Sequence, residues 1–227
     1  MNLAIITARG GSKRIPKKNI KKFLGKPIIA YSIEAAIGSG LFDEVMVSTD
    51  CEEIAAIARE YGAVVPFMRS SAASDDYATT ADVLLEVLGD YSERGTKFDL
   101  LCCIYPTAPF VMPDKLLAAY KMLQEQNADA AIPVVPFSYP PLRGLVIEDT
   151  YVKMKWPENL NVRSQDLGSM YHDSGQFYFV RVDAFLKEKT LTCKKTIAMI
   201  LSELEVQDID NETDWKLAEL KYKLLMN

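Results

Sequence analysis

Short apolar runs and helix-spaced stretches alternate almost without a break over residues 1–135, and that alternation limits the fold more than any single motif. Leu3–Thr7 reads as a buried strand running into a glycine-containing loop. Pro27–Ile37 has helical spacing and stops at Gly38–Gly40. Strand Glu44–Ser48, helix Cys51–Tyr61, strand Ala63–Met68 and helix Thr79–Tyr91 follow, the last with Thr79 or Thr80 as its cap. Then come strand Leu100–Tyr105, helix Pro113–Gln126 opened by a proline, and strand Ala130–Val135. The pattern predicts an α/β fold with a mostly parallel sheet flanked by helices. It lapses over Pro136–Gly168, which carries Pro136, Pro140, Pro141 and Pro157 and reads as an excursion from the sheet, a hairpin over the site or against a second subunit. Gln176–Arg181 resumes as a strand, Asp183–Lys189 as a helix, Ala198–Val206 as a strand-like run and Asp214–Leu225 as an amphipathic helix.

The 227 residues suit one domain with a small appendage, and 49% hydrophobic content supplies a sizeable core. No run approaches the roughly 20 apolar residues of a membrane span. The opening MNLAIITARGG has no signal-peptide pattern, so the cytoplasm is the expected compartment. Cys51, Cys102, Cys103 and Cys193 show no CxxC spacing, and the adjacent pair reads as core thiols. His172 is the only histidine, which argues against a His-rich zinc site and a Ser-His-Asp triad. Chemistry falls to carboxylates, cations and hydroxyls.

Charge is unevenly placed. Ile6–Pro27 holds Arg9, Lys13, Arg14, Lys17, Lys18, Lys21, Lys22 and Lys26, and no acidic residue precedes Glu34. Yet the net charge is −5, and setting those eight aside leaves 18 basic against 31 acidic residues. A protein that coats nucleic acid or membrane is usually basic throughout. Here the field is local, as for one small anion. The loop follows a strand and precedes a helix, the end of an open α/β sheet where ligands bind. Gly10 and Gly11 allow close backbone approach, Arg9 can fork onto a phosphate, and Lys18 can act as a point charge. Neither GxxxxGK[ST] nor GxGxxG is present, so the loop suits a triphosphate in its own way. Lys17, Lys21 and Lys22 also fit a solvated face.

An acidic counterpart lies in VQDIDNETDW, Val206–Trp215. Asp208 and Asp210, two apart, share a face if extended and can share one cation; equally, Asp210 or Asn211 can cap the next helix. Asp50, ending VSTD, reads as a cap for the helix at Cys51 more than as a site residue. Arg69–Thr80, RSSAASDDYATT, is a loop of small polar residues fit to wrap a nucleotide.

ARGGSKRIPKKNI, VSTD, ASDD followed by TT, YPTAPF and DIDNETDW occur in this order. Together they resemble the CMP-sialic acid synthetases and related nonulosonate cytidylyltransferases, from about Leu3 to Trp215. The resemblance implies a nucleotidyltransferase fold of the glycosyltransferase-A type, one domain over 1–227 with 136–170 as a dimerisation extension, a homodimer, and Mg²⁺ dependence. It implies that CTP and a nine-carbon 2-keto sugar acid give a CMP-sugar and pyrophosphate. By motif position, Ala8, Arg9, Gly11, Ser12, Lys18 and Asn19 would meet CTP, with Arg69 and Ser74 close by. Asp208 and Asp210 would hold magnesium, and Lys18 and Arg9 would offset phosphate charge.

Within that family the sialic acid enzymes have glutamine and arginine where this chain has Tyr105 and Phe110, a change that suits a less hydroxylated sugar. RSQDL and YHDSGQFY are similar to pseudaminic acid cytidylyltransferases, which makes pseudaminic acid the expected substrate, with sialic and legionaminic acid as alternatives. A non-catalytic nucleotide-binding protein on the same fold is a further alternative. Sugar-side candidates are Tyr105, Arg163, Gln165, Tyr171, His172, Asp173 and Gln176, with Arg163 pairing the sugar carboxylate. Tyr171, Phe177 and Tyr178 also read as core, and His172 as a structural hydrogen-bonding residue.

Overall fold

The computed structural model describes residues 1–75 and 77–226; Asp76, the second aspartate of the ASDD run, lies outside them. In chain order the strands and helices are β1 (Asn2–Thr7), β2 (Lys22–Phe23), β3 (Lys26–Pro27), α1 (Ile28–Ser39), β4 (Glu44–Ser48), α2 (Glu52–Glu60) and α3 (Thr80–Glu93). They continue as β5 (Leu100–Ile104), α4 (Pro113–Glu125), β6 (Ala130–Pro136), β7 (Leu145–Glu148), β8 (Tyr151–Met154), β9 (Tyr171–Asp173), β10 (Phe177–Arg181), α5 (Val182–Glu188), β11 (Thr196–Ile200) and α6 (Glu212–Met226).

The main sheet runs β11-β6-β10-β5-β1-β4, with β9 also paired to β6. β1 lies parallel to β4 and β5, and β11 parallel to β6. β10 is antiparallel to both β5 and β6, so one reversed strand splits a parallel sheet. Strand pleating sends alternate side chains to opposite faces. Ala4 and Ile6 of β1 enter one core with Ile29 and Ile33 of α1 and Leu116 of α4. Leu3 and Ile5 enter a second core with Leu84 and Val87 of α3 and Phe185 of α5. Helices thus cover both faces, as the alternation predicts. Cys102 and Cys103 are fully buried in β5, one in each core.

The third expected strand, Ala63–Met68, contracts to a single bridge between Val64 and Met46. It lies outboard of β4, Val64 is largely exposed, and Pro66 has no N–H to continue the ladder. The 136–170 segment contains the β7–β8 hairpin, closed at Asp149 and Thr150 with φ of 48° and 73°. Both central residues are left-handed, as a two-residue hairpin turn demands.

A third cluster seats the functional loops. Ile15 and Phe23 from the basic segment pack with Ile28 and Tyr31 of α1, Phe110, Ile209 and Trp215. The first loop and the last helix therefore share one small core. α6 begins two residues earlier than its apolar spacing suggests, because Asn211 caps it: its Oδ1 accepts from the N–H of Thr213 at 2.8 Å and of Asp214 at 3.0 Å. The Asp214 carboxylate accepts in return from Asp210 and Asn211.

The turn before that segment is held by Glu205. Its carboxylate meets Lys115 Nζ at 2.6 Å and accepts from Ser202, while its carbonyl accepts from Gln176 Nε2 at 2.6 Å. The Lys115 hydrogen bond, against the opposing cost of burial, holds the Glu205 carboxyl down from 4.5 to about 2. The folded state therefore gains from ionised Glu205 fully above pH 4.5 and loses that gain as pH falls toward 2. Lys115→Met will raise the midpoint of acid unfolding followed by circular dichroism; an unmoved midpoint would show that the pair adds nothing to stability. Asn211→Ala will cost about 1 kcal/mol in urea denaturation and Asn211→Ser much less. Equal stability of the two variants would mean that another group caps α6.

Candidate active site

β1 delivers the basic loop at the carboxyl end of the sheet. Ala8 is buried and its N–H donates to Ser48 O at 3.0 Å, which pins the loop to β4. Gly10 N–H donates to Asp50 Oδ1 at 2.8 Å, and a Cβ on Gly10 would come within 3.0 Å of Cys51 Cβ. Glycine is needed there for close approach. Asp50 therefore does not cap α2: the N-cap position of that helix is Cys51, with no side-chain cap, and Asp50 anchors the loop instead. Gly11 is exposed with open space around its Cα, and Ser12 turns back with its N–H on Gly10 O at 3.0 Å. Asn19 is buried, and its Nδ2 donates to Arg9 O at 2.8 Å, closing the loop on itself.

A cavity of about 340 Å³ opens above this loop, lined by Arg9, Ser12, Lys13, Arg14, Lys18, Asn19 and Thr107 among others. Four of the eight basic side chains thus line one space. The rest divide otherwise: Lys17 pairs with Glu53 at 2.6 Å, Lys21 with Glu212 at 2.6 Å while lying 4.5 Å over the Trp215 ring, and Lys26 with Glu34. Lys22 is exposed. Lys13 and Arg14 are cavity residues that the motif reading left out; their place in the same charged turn was the available signal.

The acidic segment meets this cavity from the other end of the chain. Ile209 is buried in the third cluster, so Asp208 and Asp210 project away from it, although the segment is irregular rather than a strand. Because Asn211 takes the capping role, Asp210 is left to face Arg14, Oδ1 to Nη2 at 2.7 Å. Lys18 Nζ donates to Ile209 O at 2.6 Å and stands 3.9 Å from Asp210. Burial lowers the Lys18 pKa, opposed by Asp210 and Asp208. Burial, then the Asp210 charge, pushes Asp208 up. Two hard carboxylates two residues apart suit a divalent cation, which would complete its shell from phosphate oxygens and water.

A second cavity of about 290 Å³ shares Thr7 and Arg9 with the first and is lined by Arg69, Asp75, Thr80 and Tyr105. Arg69 is buried, with Nε on Ser48 Oγ at 2.9 Å and Nη2 on Ser48 O at 2.6 Å. Ser74 turns inward to Ser70 O at 2.7 Å and lines neither cavity. Tyr105 stands 5.4 Å from the Tyr178 ring, and Tyr178 donates to Asp173 Oδ2 at 2.6 Å. Phe110, by contrast, is buried against Tyr222 at 5.9 Å. That departure alters the core rather than a cavity wall.

His172 and Asp173 line a third cavity of about 350 Å³, together with Asp208, Ser174 and Lys221. His172 meets Phe137 edge-to-face at 5.0 Å, and its Nδ1 lies 2.8 Å from Asp173 O. Gln176 is buried behind this wall, its amide spent on Glu205. Tyr171, Arg163 and Gln165 are exposed, the last two in the excursion, and none lines the three cavities. Ser174 and Lys221 were not foreseen: one is a small residue at a strand break, the other a lysine that local spacing cannot tell from any on a helix surface.

The model of the cytidylyltransferase family matches residues 3–219. A pseudaminic acid cytidylyltransferase of Campylobacter jejuni is 42% identical over 98% of this chain and 97% of its own. A CMP-N,N'-diacetyllegionaminic acid synthase of Legionella pneumophila is 31% identical over 96% and 94%. The solved structure of a CMP:2-keto-3-deoxy-manno-octonic acid synthetase complexed with CTP superposes with a TM-score of 0.70 at 16% identity, covering 99% of this chain and 98% of that one, and so shares the fold. The chain belongs to the cytidylyltransferase family.

Proposed function

We propose that this chain transfers CMP from CTP to a nine-carbon 2-keto sugar acid, pseudaminic acid, and releases pyrophosphate. The observation that carries the reading is the meeting of the basic loop with the Asp208–Asp210 segment: Lys18, which lines the first cavity, donates to Ile209 O at 2.6 Å and stands 3.9 Å from Asp210. The 42% identity to a pseudaminic acid cytidylyltransferase supports the choice of sugar.

The triphosphate lies in the first cavity, where Arg9, Lys13, Arg14 and Lys18 counter its charge and Ser12 offers a hydroxyl. The nucleoside extends into the second cavity, which Arg9 joins to the first. Arg69 and Asn19 shape these walls through backbone contacts, and Asp50 holds Gly10. Asp208 and Asp210 hold magnesium, which supplies Lewis-acid neutralisation of phosphate charge. The sugar's anomeric hydroxyl, losing its proton, attacks the α-phosphorus. The new oxygen–phosphorus bond forms as the bond to the β-phosphate breaks. Lys18 and Arg9 stabilise charge on the departing pyrophosphate by position and field rather than by covalent chemistry.

Residues 136–170 serve as the interface of a homodimer. The β7–β8 hairpin supports this with exposed Leu145, Ile147 and Val152 on one of its faces, the kind of apolar surface that marks an interaction site. Arg163, Gln165 and Tyr171 then reach the sugar across that interface. Cytoplasmic placement suits a nucleotide substrate and four free cysteines. No helix among the described residues is long and apolar enough to cross a membrane.

Pyrophosphate release will require CTP, Mg²⁺ and a sugar acid together, with pseudaminic acid preferred over legionaminic, N-acetylneuraminic and 3-deoxy-manno-octulosonic acids. Preference for N-acetylneuraminic acid would keep the mechanism and remove the assignment of the sugar. Asp208→Asn will cut turnover about 100-fold or more in a chain that still folds. Full activity in that variant would sink the metal assignment.

A further inference from the structure

The third cavity presents two polar groups that the reaction as derived leaves unused. Ser174 is 2% exposed, and its Oγ is the one buried side-chain nitrogen or oxygen among the described residues that has no hydrogen-bond partner. Its position is fixed by the backbone. Ser174 N–H donates to Pro133 O at 3.2 Å where β9 breaks from β10, and Gly175, at φ 64°, turns the chain immediately afterwards. A buried hydroxyl without a partner is costly, and a ligand group that supplies one relieves the cost.

Lys221 reaches the same cavity from α6. Its Nζ donates to Val206 O at 2.8 Å and Glu203 O at 3.0 Å, and an ammonium has three N–H groups to give. It is the one lysine or arginine that lines this cavity, where it stands against the carboxylates of Asp173, Glu203 and Asp208.

The chemistry of the acceptor ties these facts together. In a 2-keto sugar acid, the anomeric carbon bears both the attacking hydroxyl and the carboxylate. Whatever grips the carboxylate must therefore stand beside the place where the hydroxyl meets the α-phosphate, which is beside Asp208. Arg163 lines none of the three cavities. We propose that the third cavity receives the acid end of the sugar, with Lys221 Nζ paired to its carboxylate and Ser174 Oγ donating a hydrogen bond to it. This assignment rests on the reading of the reaction given above. The space, about 350 Å³, falls in the range of small-molecule sites.

Lys221 also clamps two carbonyls of the segment leading to Asp208, so recognition has to be separated from positioning. The test is steady-state pyrophosphate release by the purified full-length chain with CTP, Mg²⁺ and pseudaminic acid, each substrate varied in turn. Lys221→Met will raise KM for the sugar about tenfold or more while KM for CTP stays within about twofold. Ser174→Ala, which removes one oxygen, will raise sugar KM several-fold in the same selective way, and Lys221→Arg will restore part of the loss. If Lys221 only holds the turn, its variants will lower kcat and raise both KM values together while Ser174→Ala stays silent; that pattern overturns the proposal. So does an increase in sugar KM confined to Arg163→Met. A wild-type chain silent on every sugar acid removes the reaction and the assignment with it, a failure visible before any variant is made.

Discussion

One ammonium group joins the two ends of the site. Lys18 enters from the first loop, donates to Ile209 O at 2.6 Å across a separation of 191 residues, and lies beside Asp210. Only 20% of its side chain is exposed, so much of its hydration is lost, and the aspartates replace it. The third core cluster makes the same junction in apolar form, with Ile15 and Phe23 from the loop against Ile209 and Trp215. A basic segment with no acidic neighbours in sequence is thus stabilised by acidic neighbours in space: Glu53, Glu212, Glu34 and Asp210. Of the eight positives, four line the first cavity, three clasp acidic side chains and Lys22 is exposed.

Strands and helices with strong periodicity were legible. Glu44–Ser48 and the caps at Thr79, Pro113 and Gly40 follow from local chemistry, because period, proline and glycine act within a few residues. Ala63–Met68 misled because composition favours a strand while Pro66 and an edge position deny it a ladder. Asp50 misled for a different reason: a carboxylate before a helix is a good cap anywhere, and only the proximity of Gly10 diverts it. The charge and carboxylate motifs located the cleft. Ser174 and Lys221 lay beyond such reading, since their significance is a cavity they share from opposite ends of the fold.

The cavities are not independent compartments. Tyr105 lines the second, and its ring packs on Tyr178, whose hydroxyl donates to Asp173 in the wall of the third. Burial, first, and the bond to Asp173 push the Tyr178 hydroxyl well above its ordinary range, so it stays a neutral donor at every physiological pH. The two tyrosines form a partition whose faces look on different spaces. A residue that appears to be core packing on one side and a lining residue on the other is both.

Asn211 caps α6 and leaves Asp210 to the cleft, so the last helix and the carboxylates that precede it are laid down as one unit. A polypeptide emerges from the ribosome beginning with its amino terminus. The cationic half of the cleft is therefore made early, and the anionic half arrives some 190 residues later, when α6 can reach back to Ile15 and Phe23. A nascent chain halted before Asp208 holds every strand of the sheet and neither member of the aspartate pair. The two halves of the cleft therefore meet only once the last segment of the chain is made.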